Sequence, residues 1–415
     1  MARVVMITPY FWPDITANVP LMISLCEDLV GYGYEITVLT SFPGKGIDKH
    51  LRDDFCKSRQ TPEYYCGARI LRFPNPFIGR LGTAAKFLEY LVYTFWIFFT
   101  VLVMTRRTDV FYVYSNPPLI GWPVYLATRL GDSKIIYNLQ DLFPDSAVDN
   151  GQISNQSVLG ILRRIERRTY NCASIVTVIS KAFETHVRAV APQSRVVLLP
   201  NWIDIQKIKS ILPDDNELLK SIGLADSFNV VYAGNLGFAQ NVDIIIKTAK
   251  LLRDEKLIQF IVVGEGQQKQ YLKDMIKKYE LDNIHLFPFQ PEELVAQVYS
   301  AGGVGLVTMK PGTGHSSVPS KTWAIMACER PVIACIDKES DLATVINESQ
   351  SGIVISSNSP VELAEAIKRI YKDSDWGKEL GENGRVYVEE NISRQAITRK
   401  YCELIKDLIS NKLKK

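Results

Sequence analysis

The chain alternates between short, continuously apolar runs and longer segments in which apolar residues recur at helical spacing. The first run, residues 2–8, passes through Pro9-Tyr10-Phe11-Trp12-Pro13-Asp14 to a helix-spaced series at Leu21, Leu25 and Leu29, closed by Gly31 and Gly33, and then to a second run at residues 34–40. A strand, loop, helix, strand unit of this kind builds a parallel sheet with ligands gathered at the carboxyl ends of its strands. The same alternation predicts strands at 69–73, 109–115, 133–139 and 174–179, with Arg195 to Asp204 closing the first half. Residues 44–68 are polar and lack either period, which predicts an irregular excursion.

A second half repeats the pattern. Strands are predicted at 228–233, 257–263 and 303–308, and a helix from about Val242 to Leu252. Ser359-Pro360-Val361-Glu362 is a capping box that opens a helix through Ile370, and Ile397, Tyr401, Leu404 and Leu408 form one stripe of a terminal helix over about 394–410. Pro213-Asp214-Asp215-Asn216 reads as a linker. The expectation is an α/β protein of two Rossmann-like, doubly wound domains: 1–205, 206–390, and a terminal helix at 391–415 that crosses back to the first. Its 415 residues agree, because single cores stop growing near about 250–300 residues.

One segment fits neither period. Tyr90 to Met104 carries no charge, and it lies between Lys86 and Glu89 on one side and Arg106-Arg107 on the other. At 1.5 Å per residue it reaches about 22 Å, short of a hydrocarbon core of roughly 30 Å, so a bilayer span is excluded. A helix near 87–105 that is apolar all round is either buried or dipped into a membrane surface; Trp96, the tyrosines and the flanking arginines favour partial immersion.

A net charge of +3 gives no global basic field, so nucleic acid is not an expected partner. The basic groups at Arg163-Arg164, Arg167-Arg168 and the chain end read as solvated faces or local binding patches. Cysteines at 26, 56, 66, 172, 328, 335 and 402 show no metal-ligand spacing, which suits a reduced, cytoplasmic chain. Residues 1–8 read as a first strand and not as a cleavable signal.

Candidate chemistry collects where strands end. Gly314 to Cys335 reads as a polar loop, a short helix after Pro319, a turn and a buried strand, and it puts Ser320 and Lys321 where a phosphate would sit. Gly234-Asn235-Leu236-Gly237 and Gly264-Glu265-Gly266 follow predicted strands and permit close backbone approach, although the first is also compatible with an ordinary turn. Lys338-Glu339-Ser340-Asp341-Leu342 precedes a further helix and offers amides there. Asp14 lies past the first strand, and Asp141, after the strand at 133–139, is either a chemical group or a turn former. Four histidines without clustered carboxylates predict no metal and no cofactor, and no strand is followed by Gly-x-Gly-x-x-Gly, which argues against a nicotinamide oxidoreductase.

Taken together, Thr8 to Asp14, Gln140 to Ser146, Pro200-Asn201-Trp202-Ile203-Asp204, Ala233 to Gly237, Pro319-Ser320-Lys321 and Gly381-Glu382-Asn383-Gly384-Arg385 resemble the GT-B glycosyltransferases. The closer likeness is to family 4 of the retaining type, in the branch that builds bacterial capsule, colanic acid and O-antigen units and includes L-fucosamine and fucosyl transferases. The resemblance spans nearly the whole chain. It implies two domains facing a central cleft, with a nucleotide-sugar donor, here a UDP-sugar, on the second. The donor side would comprise Gly234, Asn235, Gly237, Gly264, Ser320, Lys321, Glu339, Ser340, Asp341 and Leu342. On the first domain, Asp14 and Asp141 would face a polyprenyl-diphosphate-linked saccharide at the inner face of the cytoplasmic membrane, with Asp141 and Lys321 as the catalytic pair. Three departures stand out. Ser316 and Ala324 occupy the positions of the family's two glutamates; Asn235 and Gln240 stand where many relatives carry a basic pair; and Tyr114 or Ser115 replaces a histidine at the end of the fourth strand. These leave room for a UDP-sugar 2-epimerase of the same fold or a non-catalytic membrane-associated assembly scaffold.

Overall fold

The computed structural model describes residues 1–58, 63–73, 83–118, 120–149, 151, 153–312 and 319–413. They form two compact units, Met1–Pro200 with Ile397–Lys415, and Asn201–Ala396.

The first unit is built on β1 (Arg3–Ile7), β2 (Glu35–Ser41), β3 (Glu63–Tyr65), β4 (Ala68–Phe73), β5 (Val110–Tyr114), β6 (Lys134–Leu139), β7 (Ile175–Val178) and β8 (Val196–Leu198). They lie in the order β3-β4-β2-β1-β5-β6-β7-β8, parallel throughout except for the antiparallel β3 edge. Helices cover both faces, so strands such as β5 are buried at every residue and read as unbroken apolar runs. The polar stretch expected to be irregular instead holds a helix, Lys49–Ser58, and β3. What fixes β3 is a buried Arg72 guanidinium, which grips Glu63 with Nε at 2.6 Å and Nη2 at 2.8 Å, and Trp12 stacked on Tyr65 at 5.1 Å. Such tertiary ties leave no periodic trace in the sequence.

The uncharged segment is a helix, Thr83–Met104, with two unlike faces. Tyr93, Ile97 and Val101 are fully buried against the sheet, whereas Phe95, Phe99 and Val103 are 62%, 60% and 80% exposed. No helix of the described residues is long and apolar enough to cross a membrane.

The second unit contains β9 (Phe228–Ala233), β10 (Ile258–Val263), β11 (Ile284–Phe287), β12 (Val304–Thr308), β13 (Val332–Cys335) and β14 (Gly352–Ile355), all parallel in the order β11-β10-β9-β12-β13-β14. The strand order reverses between β9 and β12, and the same reversal falls between β1 and β5 in the first unit. Ligands of open parallel sheets bind at such switch points, outside the strand ends. The residues read as a linker form a 3-10 turn, Pro213–Asp215, that leads into the helix Glu217–Ile222 within this unit.

A helix that the periodicity did not predict, Ser374–Asn391, packs against the turn after the helix Lys321–Ala327. Gly381 is required there: a Cβ would lie 2.2 Å from the Glu329 carbonyl oxygen. Arg385 then donates to the Ala327 carbonyl at 2.7 Å. The terminal helix, Arg394–Leu413, brings Tyr401 into the first unit, where its hydroxyl accepts from Asn138 Nδ2 at 2.9 Å and donates to Thr177 Oγ1 at 3.3 Å. A tyrosine hydroxyl buried this deeply needs such partners.

Candidate active site

At the switch point of the second unit, the loop after β9 meets the side chain delivered by the segment after β12. Gly234 takes φ +143, a backbone conformation closed to most other residues, and this turns the loop back over the sheet. Lys321, at the start of the helix Lys321–Ala327, extends to it; a Cβ on Gly234 would lie 3.0 Å from Lys321 Nζ. The ammonium sits 3.9 Å from the centroid of the Tyr232 ring and donates to Gln240 Oε1 at 3.1 Å. The Tyr232 hydroxyl shares its hydrogen between the Asn235 carbonyl at 2.8 Å and Gln240 Oε1 at 3.2 Å, so the same amide oxygen lies beside both the ammonium and the phenol. No described carboxylate pairs with Lys321, and burial alone pushes its pKa down to about 7. A desolvated cation that, among the described residues, has a π face and an amide for company suits an anion.

The second glycine loop is locked to the first. Leu236 N donates to the Glu265 carbonyl at 2.8 Å, and a Cβ on Gly264 would lie 2.1 Å from the Gly234 carbonyl oxygen. Gly266, at φ +148, likewise abuts Leu236 and the Asn235 side chain. Gly264 therefore serves the contact between loops. Asn235 is exposed, its carbonyl accepting from Tyr232 at 2.8 Å, and Gly237 follows with its carbonyl bonded by Gln268.

Ser320 is exposed at the head of its helix and makes no capping bond with its side chain. The buried hydroxyl of Ser340 is consumed locally, accepting from Ala343 N at 3.3 Å and donating to the Asp337 carbonyl at 2.7 Å. It caps the helix Asp341–Glu348, with Asp341 in the first turn and Leu342 buried. Glu339 is exposed before it. The carboxylate of Asp337 accepts from Gly312 N at 2.9 Å and so ties the loop after β12 to the loop after β13. Of the two positions matching the family glutamates, Ala324 is buried in the core, and Ser316 lies outside the described residues.

In the first unit, Asp14 is buried. Its Oδ1 accepts from Gly44 N and Lys45 N, both at 2.7 Å, while Oδ2 has no partner, and desolvation holds the carboxyl pKa above its ordinary value. Asp141 is exposed and lines a small pocket at the ends of β5 and β6 with Ser115, Tyr137, Phe143, Glu166 and Tyr170. Ser115 Oγ accepts from Gln140 N at 2.9 Å, and burial together with the Asp141 charge pushes the Tyr114 phenol up to about 12. Among the described residues, no group of three or more His, Cys, Asp or Glu side chains is placed to hold a metal ion.

Sequence reasoning found Lys321 and its glycine loop but not Tyr232, which reads as an ordinary strand residue; only its place at the strand's carboxyl end hinted at it.

Comparison with known proteins then gives the lineage. Residues 23–202 match the glycosyl transferase 4-like domain, and residues 214–387 match the glycosyl transferases group 1 family. The chain is 24% identical to the colanic acid biosynthesis glycosyl transferase WcaI of Escherichia coli K12, over 93% of this chain and 96% of that one. It is 26% identical to the glycosyltransferase WbjE of Pseudomonas aeruginosa over 74% and 76%. Among solved structures, sucrose-phosphate synthase of Thermosynechococcus elongatus superposes with a TM-score of 0.75 at 17% identity, covering 99% of this chain and all of that one (100%). Anabaena HepE, solved with UDP and glucose, gives 0.69 at 17% identity over 98% and 100%. The chain is a GT-B glycosyltransferase, assembled from a family 4-like first domain and a group 1 second domain, with relatives in bacterial polysaccharide biosynthesis.

Proposed function

We propose that the chain transfers one sugar, with retention, from a UDP-sugar to a polyprenyl-diphosphate-linked saccharide during bacterial surface polysaccharide synthesis, working at the inner face of the cytoplasmic membrane. The observation that carries this is the desolvated ammonium of Lys321, above Tyr232 and beside Gly234 and without a carboxylate partner among the described residues. A diphosphate supplies the charge that ammonium lacks. UDP is the favoured nucleotide because the similarly folded HepE was solved with it. L-fucosamine and fucosyl transfer remain the donor chemistries implied by the resemblance.

In the reaction the bond between C1 and the β-phosphate oxygen breaks, and negative charge develops on the departing diphosphate while the sugar gains oxocarbenium character. Lys321, the Ser320 hydroxyl and the backbone at Gly234 to Gly237 and 339 to 342 stabilise that charge. No metal is used in this scheme. The acceptor hydroxyl bonds to C1 from the same face, and its proton passes to the leaving phosphate oxygen. Asp141 orients the acceptor, with Asp14 supporting the neighbouring loop.

Membrane contact fits the helix Thr83–Met104, whose outward stripe of Phe95, Phe99 and Val103 ends beside the exposed Arg106 and Arg107. Aromatic and aliphatic side chains would enter the acyl boundary while the arginines meet anionic headgroups. The deciding experiment incubates purified protein with UDP- and GDP-sugars, with and without lipid-linked saccharides. Nucleotide release that depends on a lipid-linked acceptor supports the reading, and release indifferent to acceptor, or absent with every donor, defeats it.

A further inference from the structure

Behind Asp141 lies a polar constellation that the transfer scheme leaves unused. Glu166, on the helix Gln156–Cys172, is 2% exposed, yet it forms part of the wall of the pocket that Asp141 also lines. Its Oε1 accepts from the Tyr170 hydroxyl at 3.0 Å and bonds His186 Nε2 at 2.7 Å. Asp145 stands on the other side of the imidazole, 3.7 Å from Nδ1, and is itself 3.3 Å from Arg163 Nη2. Imidazole and phenol thus fix the orientation of a buried carboxylate, and an ionised carboxylate accepts at about four lone-pair sites, more than these two bonds fill.

The chemistry of the pocket restricts its occupant. Two carboxylates on one wall repel phosphate or any other anion, so the diphosphate part of a substrate is excluded. Neutral hydroxyl donors suit them, and the rings of Tyr137, Phe143 and Tyr170 give an apolar surround for the carbon that bears such a hydroxyl. The space is small, fitting a hydroxyl or hydroxymethyl branch and not a whole ring.

We propose that Glu166, braced by His186 and Tyr170, is a specificity-determining residue that with Asp141 receives one hydroxyl-bearing branch of the acceptor saccharide. This rests on the reading of the first domain as the acceptor side. It assigns the selection of the acceptor sugar to two carboxylates remote in sequence, the exposed Asp141 at the mouth and the buried Glu166 behind it.

The test uses the intact protein with a panel of methyl hexopyranosides, followed by saturation-transfer NMR, and UDP binding followed by calorimetry. The wild-type protein is expected to bind at least one methyl glycoside. Glu166→Gln, which keeps shape but removes the charge from the hydrogen bond, should weaken that glycoside about tenfold while leaving the UDP Kd within about twofold. Tyr170→Phe, which removes only a brace, should weaken it about threefold and leave UDP binding intact, so the inference stays testable if the first variant misfolds. Absence of glycoside binding by the wild-type protein, or unchanged glycoside binding by both variants, would overturn it. Failure of the wild-type protein to bind UDP would instead strike the donor reading, which is separately measured.

Discussion

Lys321 Nζ rests 3.9 Å from the centre of the Tyr232 ring, and the contact joins the segment after β12 to the carboxyl end of β9. The ring supplies partial negative potential to a half-buried lysine that has no carboxylate partner among the described residues. Lys321→Ala should lower transfer on the order of 100-fold, the scale of one lost contact to developing charge. Tyr232→Leu should lower it less, by about tenfold, through mispositioning of the ammonium. Steady-state kinetics at saturating acceptor read both, and they should be unaffected by EDTA if no metal takes part.

Lys321 also predicts a pH dependence. With its pKa pushed down to about 7, the free protein loses that proton as pH rises past neutrality, whereas a bound diphosphate favours the charged form. Binding therefore takes up a proton above pH 7, and UDP affinity should fall by up to about tenfold per pH unit between pH 7 and 9. Calorimetry over that range should show the slope in the wild-type protein and not in Lys321→Gln.

The paired glycine loops predict a steric result. Gly264→Ala places a methyl 2.1 Å from the Gly234 carbonyl oxygen, so one loop must move; a loss of stability of about 3 kcal/mol is expected, with weaker UDP binding. Gly312→Ala, at φ +78 with open space around it, should cost only about 1 kcal/mol of backbone strain. Chemical denaturation compares the two.

His186 predicts a stability profile. Its hydrogen bond to Glu166 is the largest cause of a pKa raised above the ordinary 6.5, with Asp145 adding to it and burial and Arg163 opposing. A group raised on folding contributes fully below its unfolded pKa, and that contribution disappears as pH rises through the folded value. The difference in urea midpoint between wild-type and His186→Gln should thus be largest below pH 6.5 and shrink on the alkaline side.

The exposed helix stripe predicts lipid binding. Phe95→Ser with Phe99→Ser should reduce flotation with vesicles containing phosphatidylglycerol by about tenfold or more, because each buried phenyl is worth about 2 kcal/mol. Replacing Arg106 and Arg107 with Gln should matter only when the vesicles are anionic. Equal flotation of all variants would remove the helix from that role.

Much of this architecture was legible in the pattern of apolar runs, because parallel strands buried on both faces write themselves as uninterrupted hydrophobic stretches. β9 at 228–233 is an instance. The helix at 374–391 was not, because its packing relies on Gly381 and Gly384 touching neighbouring backbone and side chains, and glycines read as punctuation. In the site, Lys321 was recognisable from its place after a proline loop. Tyr232 was not, since a strand-end aromatic looks the same whether or not a cation rests on it. The helix after Ser340 was legible from its position, but the bonding of the Ser340 hydroxyl was not, because a capping bond cannot be told from a free hydroxyl without coordinates.

Tyr401 gives the molecule a direction in time. Asn138 and Thr177 sit on the adjacent strands β6 and β7 of the first sheet, yet the phenol that bonds both is translated after the entire second domain. A nascent chain emerging from the ribosome therefore holds its leading half with Asn138 and Thr177 bonded to each other at 3.1 Å but lacking the phenol, and the sheet gains that last buried partner only after the second domain has been made. Ribosome-arrested chains ending before residue 397 should expose that half to protease in a way that release of the finished polypeptide abolishes.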